Sequence, residues 1–296
     1  MSTHYFRFTR RGGTNRERAP LLERLLARAD GSTEVADWRA DAFRLIAPTM
    51  TSMPGVGAAA LYADVGAVDA ACVFFATPVH YVAEMSNVRL PADGILSLRQ
   101  PEADALAADF NRVWKDAGIR LVAGRRADLY CLVDDALQVT TQDPEEVLDR
   151  RIENHLPGGD AAPRLRRLMS EIEMWLFEHA VNRARTENAE TVVNGLWLWG
   201  GGSALGSLPP VDGWTAGDDP FFNAFAAGPK SSHGAASGVV VTADIESPRL
   251  ERSVADLRSG RIARLAVSAG SRCFNVGARW NWRLWRRDRP WWEYFA

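Results

Sequence analysis

A chain of 296 residues, 47% hydrophobic and 24% charged, has an ordinary globular composition and enough apolar side chain for a substantial core. Its formal charge of -2 at pH 7 excludes a global field directed at nucleic acid or an acidic surface. Three cysteines, Cys72, Cys131 and Cys273, form no CxxC pair, which argues against a zinc ribbon and a disulfide framework and for a reducing, cytoplasmic setting.

The N-terminal MSTHYFRFTRRGG has no apolar signal region, and no 18-residue apolar run exists, so no membrane association is expected. Residues 18–30 and 34–47 have the apolar spacing of two amphipathic helices, a small helical part over about 1–50. VDAACVFFATPVHYVA, 68–83, is a continuous apolar run and predicts a buried strand broken by Pro78. Residues 101–118 predict a helix stopped by Gly118, and 119–135 a hairpin. Residues 143–159 predict a helix capped by Asp143. The longest helix is expected over 163–187, with Leu165, Leu168, Met169, Ile172, Trp175 and Leu176 as its buried stripe. Strand, helix, strand and helix signals follow at 191–199, 219–228, 237–246 and 247–260, and 261–285 predicts a strand pair and its continuation. This mixture predicts one α/β domain, 1–296, with a mixed sheet flanked by helices.

VVNGLWLWGGGSALG, 192–206, sets two tryptophans against three glycines. If the glycines end the strand, the N–H groups of Gly200, Gly201 and Gly202 can bind an anion; if they only let the chain turn, Trp197 and Trp199 pack on one sheet face. The segment has neither G-x-G-x-x-G spacing nor a GK[ST] sequence. His80 follows a buried strand, where α/β folds place ligands, and is otherwise a structural histidine. On the long helix Glu178, Asn182 and Arg185 share a face, which is either solvated or a polar wall toward the glycines with Arg185 as an anion clamp. Asn194 either bonds neighbouring backbone or pins the glycine segment. Five tryptophans and five arginines crowd 278–295. Their alternation at 279–284 favours a half-buried strand over a surface that stacks on single-stranded nucleic acid.

EIEMWLFEHAVNRARTENAETVVNGLWLWGGG, 171–202, resembles the signature of the RpfE-type bacterial regulatory proteins, a family also labelled as cofactor-independent, archaeal-like phosphoglycerate mutases. FATPVHYVAEMSNVRL, 75–90, and the arginine-rich WRLWRRDRP are similar to the same family, and Glu173 stands where that family has glutamine. The resemblance implies a reduced alkaline-phosphatase-like core. Mutases of that type use two metal ions held by clustered aspartates and histidines, with a serine nucleophile. Here the five histidines are isolated, no HxxxH pair occurs, and no N-terminal Asp-Gly motif is present. The expectation is a non-catalytic regulatory or ligand-sensing protein that binds a small anionic ligand, phosphorylated or not, with no catalytic or metal residue assigned. The alternatives are a manganese- or zinc-dependent phosphoryl-transfer enzyme and a nucleic-acid-associated factor.

Overall fold

The computed structural model describes residues 2–9, 17–226 and 236–295; Lys230 and His233 lie outside them. The chain divides into two compact units, Met1–Met53 with Pro209–Ala296, and Pro54–Leu208. In chain order the first unit begins with β1 (Thr3–Phe8), α1 (Pro20–Ala27), β2 (Gly31–Glu34) and α2 (Trp38–Ile46). The second holds α3 (Val56–Val65), β3 (Cys72–Val79), β4 (Val82–Ala83), β5 (Val88–Leu90), α4 (Gln100–Val113), β6 (Ile119–Ala123), β7 (Leu129–Val133), β8 (Arg150–Arg151), α5 (Ala162–Phe177), α6 (Ala180–Glu187) and β9 (Gly195–Gly202). The first unit resumes with β10 (Trp214–Gly217), α7 (Pro220–Ala224), β11 (Gly238–Thr242), α8 (Pro248–Arg258), β12 (Arg264–Ala269), β13 (Arg272–Gly277) and α9 (Trp291–Tyr294).

The first unit is built on a six-stranded sheet of order β10-β11-β1-β12-β13-β2, parallel from β10 to β12 and antiparallel beyond. Its N-terminal segment is therefore no helical appendage, because β1 lies between strands drawn from more than 200 residues away. Phe6 and Phe8 of β1 pack with Leu22, Leu25 and Leu26 of α1 and Leu250, Val254 and Leu257 of α8. Arg7, on the opposite face by strand alternation, lies under Trp38 of α2. Rings of α2 and α7 interlock there, with Phe43 and Phe221 centroids 5.6 Å apart.

In the second unit a four-stranded antiparallel sheet, β6-β7-β3-β9, is accompanied by the small sheet β4-β5-β8. The expected hairpin is β6 and β7, and Pro78 sits within β3 beyond the last residue paired with β7, where a missing N–H leaves no gap in that ladder.

Three local expectations are corrected. The helix over 163–187 is two helices: α5 ends at Phe177, and the Nδ1 of His179 accepts the Val181 N–H at 3.1 Å as the N-cap of α6. Residues 143–159 form two short 3-10 turns around β8, because Asp149 has a φ of 62° and β8 pairs with β5. The C-terminal alternation is no strand: Trp280–Trp282 is a 3-10 turn with Trp280 buried and Trp282 and Leu284 exposed.

Candidate functional site

The glycines at 200–202 do not end β9; they carry it through a bulge. Phe75 pairs with Trp199 while Val73 pairs with Gly202, so β9 spends one extra residue there, and Gly200 adopts a φ of 63°. The space their missing side chains leave is filled. A Cβ on Gly200 would lie 2.7 Å from Cβ of Val56, and one on Gly202 would lie 2.7 Å from the Cα of Gly55. At Gly201 the ring of Phe74 occupies that position. The Gly200 N–H donates to Thr141 Oγ1 at 3.0 Å. Both indoles are buried and directed inward, Trp197 donating to the Gln142 carbonyl at 2.7 Å and Trp199 to Thr77 Oγ1 at 2.8 Å. The absent side chains let two backbones and α3 approach β9; they do not form an open cradle.

The polar residues expected around those glycines do converge, but on the chain's own backbone. Thr191–Asn194 leads into β9 outside any strand ladder, so its peptide groups need other partners, the Asn194 N–H finding the Val79 carbonyl at 3.1 Å. Arg185 Nε donates to the Thr191 carbonyl at 2.7 Å. The ring Nδ1 of His80 lies 2.9 Å from the Val192 carbonyl. Asn182 accepts from the Val193 N–H at 2.8 Å and donates to the Val193 carbonyl at 2.7 Å and the Leu176 carbonyl at 2.8 Å. Asn194 clamps Tyr81, accepting from its N–H at 2.7 Å and donating to its carbonyl at 2.9 Å. Behind them Arg185 Nη1 pairs with Glu102 Oε1 at 3.0 Å, both groups buried. Burial works against the Glu102 carboxylate, but the Arg99 N–H and the Arg185 and Arg99 guanidiniums outweigh it and hold the carboxyl below its ordinary range. Glu178 stands apart, exposed at the break between α5 and α6.

A second polar cluster, in the first unit, went unread in the sequence. The carboxyl ends of parallel strands are where α/β sheets bind ligands. There Arg7 of β1 and Arg39 of α2 are 6% and 7% exposed, and both guanidiniums lie over the Trp38 ring, at 4.8 and 4.4 Å. Arg7 donates to Ser268 Oγ at 3.1 Å and to the Gly270 carbonyl at 2.5 Å, and Arg39 pairs with Asp219 at 2.7 Å. Ser268 pairs in register with both Arg7 and Cys273, so the three residues form one row across the sheet. Burial pushes the Cys273 thiol up to about 11 and the Tyr5 phenol higher still. The Tyr5 hydroxyl lies beside Ser268 yet makes no hydrogen bond of proper geometry. The signal in the sequence was an arginine inside the apolar YFRF, which a buried strand tolerates only with partners waiting.

The donors a two-metal centre would use are scattered among the described residues. His4 bonds to Ser253, His80 to a backbone carbonyl and His155 to Gln142, and His179 meets a carboxylate, Asp109, at 3.1 Å. Burial holds the His179 ring toward its neutral form, which Asp109 opposes. Among the described residues no group of three or more histidine, cysteine, aspartate or glutamate side chains is gathered to hold a metal.

The chain is similar to phosphoglycerate mutases over about a fifth of its length. It is 36% identical over 66 residues to a probable 2,3-bisphosphoglycerate-independent phosphoglycerate mutase of Geobacter sulfurreducens, covering 22% of this chain and 16% of that protein. It is 39% identical over 61 residues to the mutase of Methanothrix thermoacetophila, covering 21% and 16%. The match thus spans far less than the whole of these relatives. No family model matches the chain. Among solved structures, the cofactor-independent phosphoglycerate mutase of Thermoplasma acidophilum aligns with a TM-score of 0.40 and 14% identity, covering 93% of this chain and 89% of that one. A Pyrococcus horikoshii protein aligns with a TM-score of 0.39 and 11% identity, covering 93% and 87%. The sequence matches support a phosphoglycerate-mutase-like scaffold. No helix among the described residues is long and apolar enough to cross a membrane.

Proposed function

We propose that this chain is a non-catalytic, ligand-sensing regulatory protein of the RpfE type on a phosphoglycerate-mutase-like scaffold, with a small phosphorylated acid as its ligand. One observation carries the reading. The carboxyl-end layer of the parallel strands holds Arg7, Trp38, Arg39, Tyr5 and Ser268 with the Asp219 carboxylate, already paired with Arg39, where two-metal phosphoryl transfer needs clustered carboxylates and imidazoles. Fixed guanidiniums beside hydroxyl donors suit the oxygens of a phosphate or carboxylate, which would compete with the Asp219 carboxylate for Arg39 and with the Gly270 carbonyl for Arg7. The names of the matched relatives make phosphoglycerates the first probes. On this reading the ligand sits in the first unit, and His80, Asn182, Arg185 and Asn194 serve to hold the chain's own backbone.

The test uses the full chain with 3-phosphoglycerate, 2-phosphoglycerate and inorganic phosphate, read by calorimetry and thermal shift, alongside metal analysis and a mutase assay. The expected result is saturable binding that Arg39→Gln abolishes and Asn194→Ala leaves intact, with no turnover. Stoichiometric manganese or zinc together with mutase turnover would establish the enzyme instead. No binding of any of the three probes would refute the anion site.

A further inference from the structure

The C-terminal segment 279–289 carries five arginines and one aspartate, a local charge of +4 in a chain whose total is -2. It is held at both ends. Trp280 is fully buried in the core of the first unit, and Trp291 packs against the same core and donates its indole N–H to the Glu17 carbonyl at 2.8 Å. Between them, Arg283 donates to the Arg28 carbonyl at 2.8 Å, and Arg286 to the Ala29 carbonyl at 2.7 Å. Those carbonyls lie just past the C-terminus of α1, where cations are favoured. The segment is an arch fastened by two of its own arginines.

Among the side chains the arch exposes are three large apolar ones. Trp282, Leu284 and Trp285 are 73%, 73% and 75% exposed. The exposed Arg279, Arg287 and Arg289 flank them. A core-facing strand would have hidden these side chains, and three large apolar groups within four residues exceed the single scattered ones of an ordinary surface.

We infer that this arch is a peripheral anchor for a lipid surface rich in anionic headgroups. Tryptophan favours the headgroup boundary of a bilayer, and arginine the lipid phosphates. Leu284 decides against single-stranded nucleic acid. An aliphatic chain between two indoles gains from entering acyl chains and nothing from base stacking. The two indoles also protrude, whereas stacking platforms lie along a groove. Asp30 pairs with Arg283 and Asp288 with Arg24, so the positive charge this face offers is that of the exposed Arg279, Arg287 and Arg289.

The test is cosedimentation of the full chain with vesicles of phosphatidylcholine alone and of phosphatidylcholine mixed with phosphatidylglycerol. Binding to the anionic vesicles only is expected, with a blue shift of tryptophan emission and loss at high salt. Arg279→Gln and Arg287→Gln leave the α1 contacts untouched, and each should lower the partition coefficient about fivefold. The double variant Trp282→Ala/Trp285→Ala should abolish binding while keeping the wild-type unfolding midpoint. The inference is overturned by failure to bind anionic vesicles, by binding that the tryptophan variant retains, or by a single-stranded oligonucleotide that binds through Trp282 and Trp285 where vesicles do not.

Discussion

Gly202→Ala distinguishes a packed bulge from an open cradle. An added Cβ would meet Gly55 Cα at 2.7 Å and Gly55 N at 2.9 Å, and the reciprocal Cβ on Gly55 would meet Gly202 Cα at 2.6 Å. Both obstacles are backbone, so no rotamer change relieves them, and the two segments must separate by several tenths of an ångström. Overpacking of this kind costs roughly 1–3 kcal/mol. Removal of glycine from the unfolded chain recovers about 0.4–1 kcal/mol. The net loss is therefore on the order of 1–2 kcal/mol, read as a lower urea midpoint by tryptophan fluorescence. Gly206→Ala is the matched control, since nothing lies within 4 Å of its Cβ position and its φ is not positive. It should be neutral or slightly stabilising. If Gly202→Ala is as stable as Gly206→Ala, β9 and Gly55 are not in contact and the packed account of the glycine run fails.

Glu102→Gln should cost roughly 3–5 kcal/mol, because it leaves the buried Arg185 guanidinium without its counter-charge. The folded Glu102 carboxyl ionises below its unfolded value, so its contribution is present above the ordinary carboxyl range and is lost as pH falls through the folded value. Urea titrations at neutral pH and below about pH 4 should show that acid-dependent loss reduced in Glu102→Gln. Asn182→Ala strands the Val193 N–H and the Val193 carbonyl, each orphan costing about 1–3 kcal/mol, while the Leu176 carbonyl keeps the His179 N–H at 3.1 Å. Amide exchange at Val193 should accelerate in that variant well beyond the global change, and unchanged exchange would mean that another group holds the segment. The three cysteines are buried, with burial pushing Cys131 up to about 12 and Cys273 up to about 11. Folded protein should resist a thiol reagent at mildly alkaline pH and release three thiols once unfolded. Rapid labelling of the native chain would contradict that burial.

Local pattern was enough for the helices whose one face is apolar and whose caps are spelled out. Asp37, Asp219 and Ser247 each accept a backbone N–H at the start of α2, α7 and α8, where such side chains end a loop and open a helix. The hairpin of β6 and β7 and the mixed α/β class were legible for the same reason: apolar periodicity acts between near neighbours. Tertiary structure alone decided the rest. β1 is buried on both faces, so it shows no polar alternation, and its partners β11 and β12 lie at the far end of the chain. Arg7 and Arg39 meet over Trp38 only when those strands and α2 assemble. The glycine run reads alike as a cradle or a bulge until Val56, Phe74 and Gly55 fill the space beside it. Periodicity records which residues avoid water, whereas a partner for a buried guanidinium, or a neighbour for a bare backbone, comes from residues that sequence spacing does not relate.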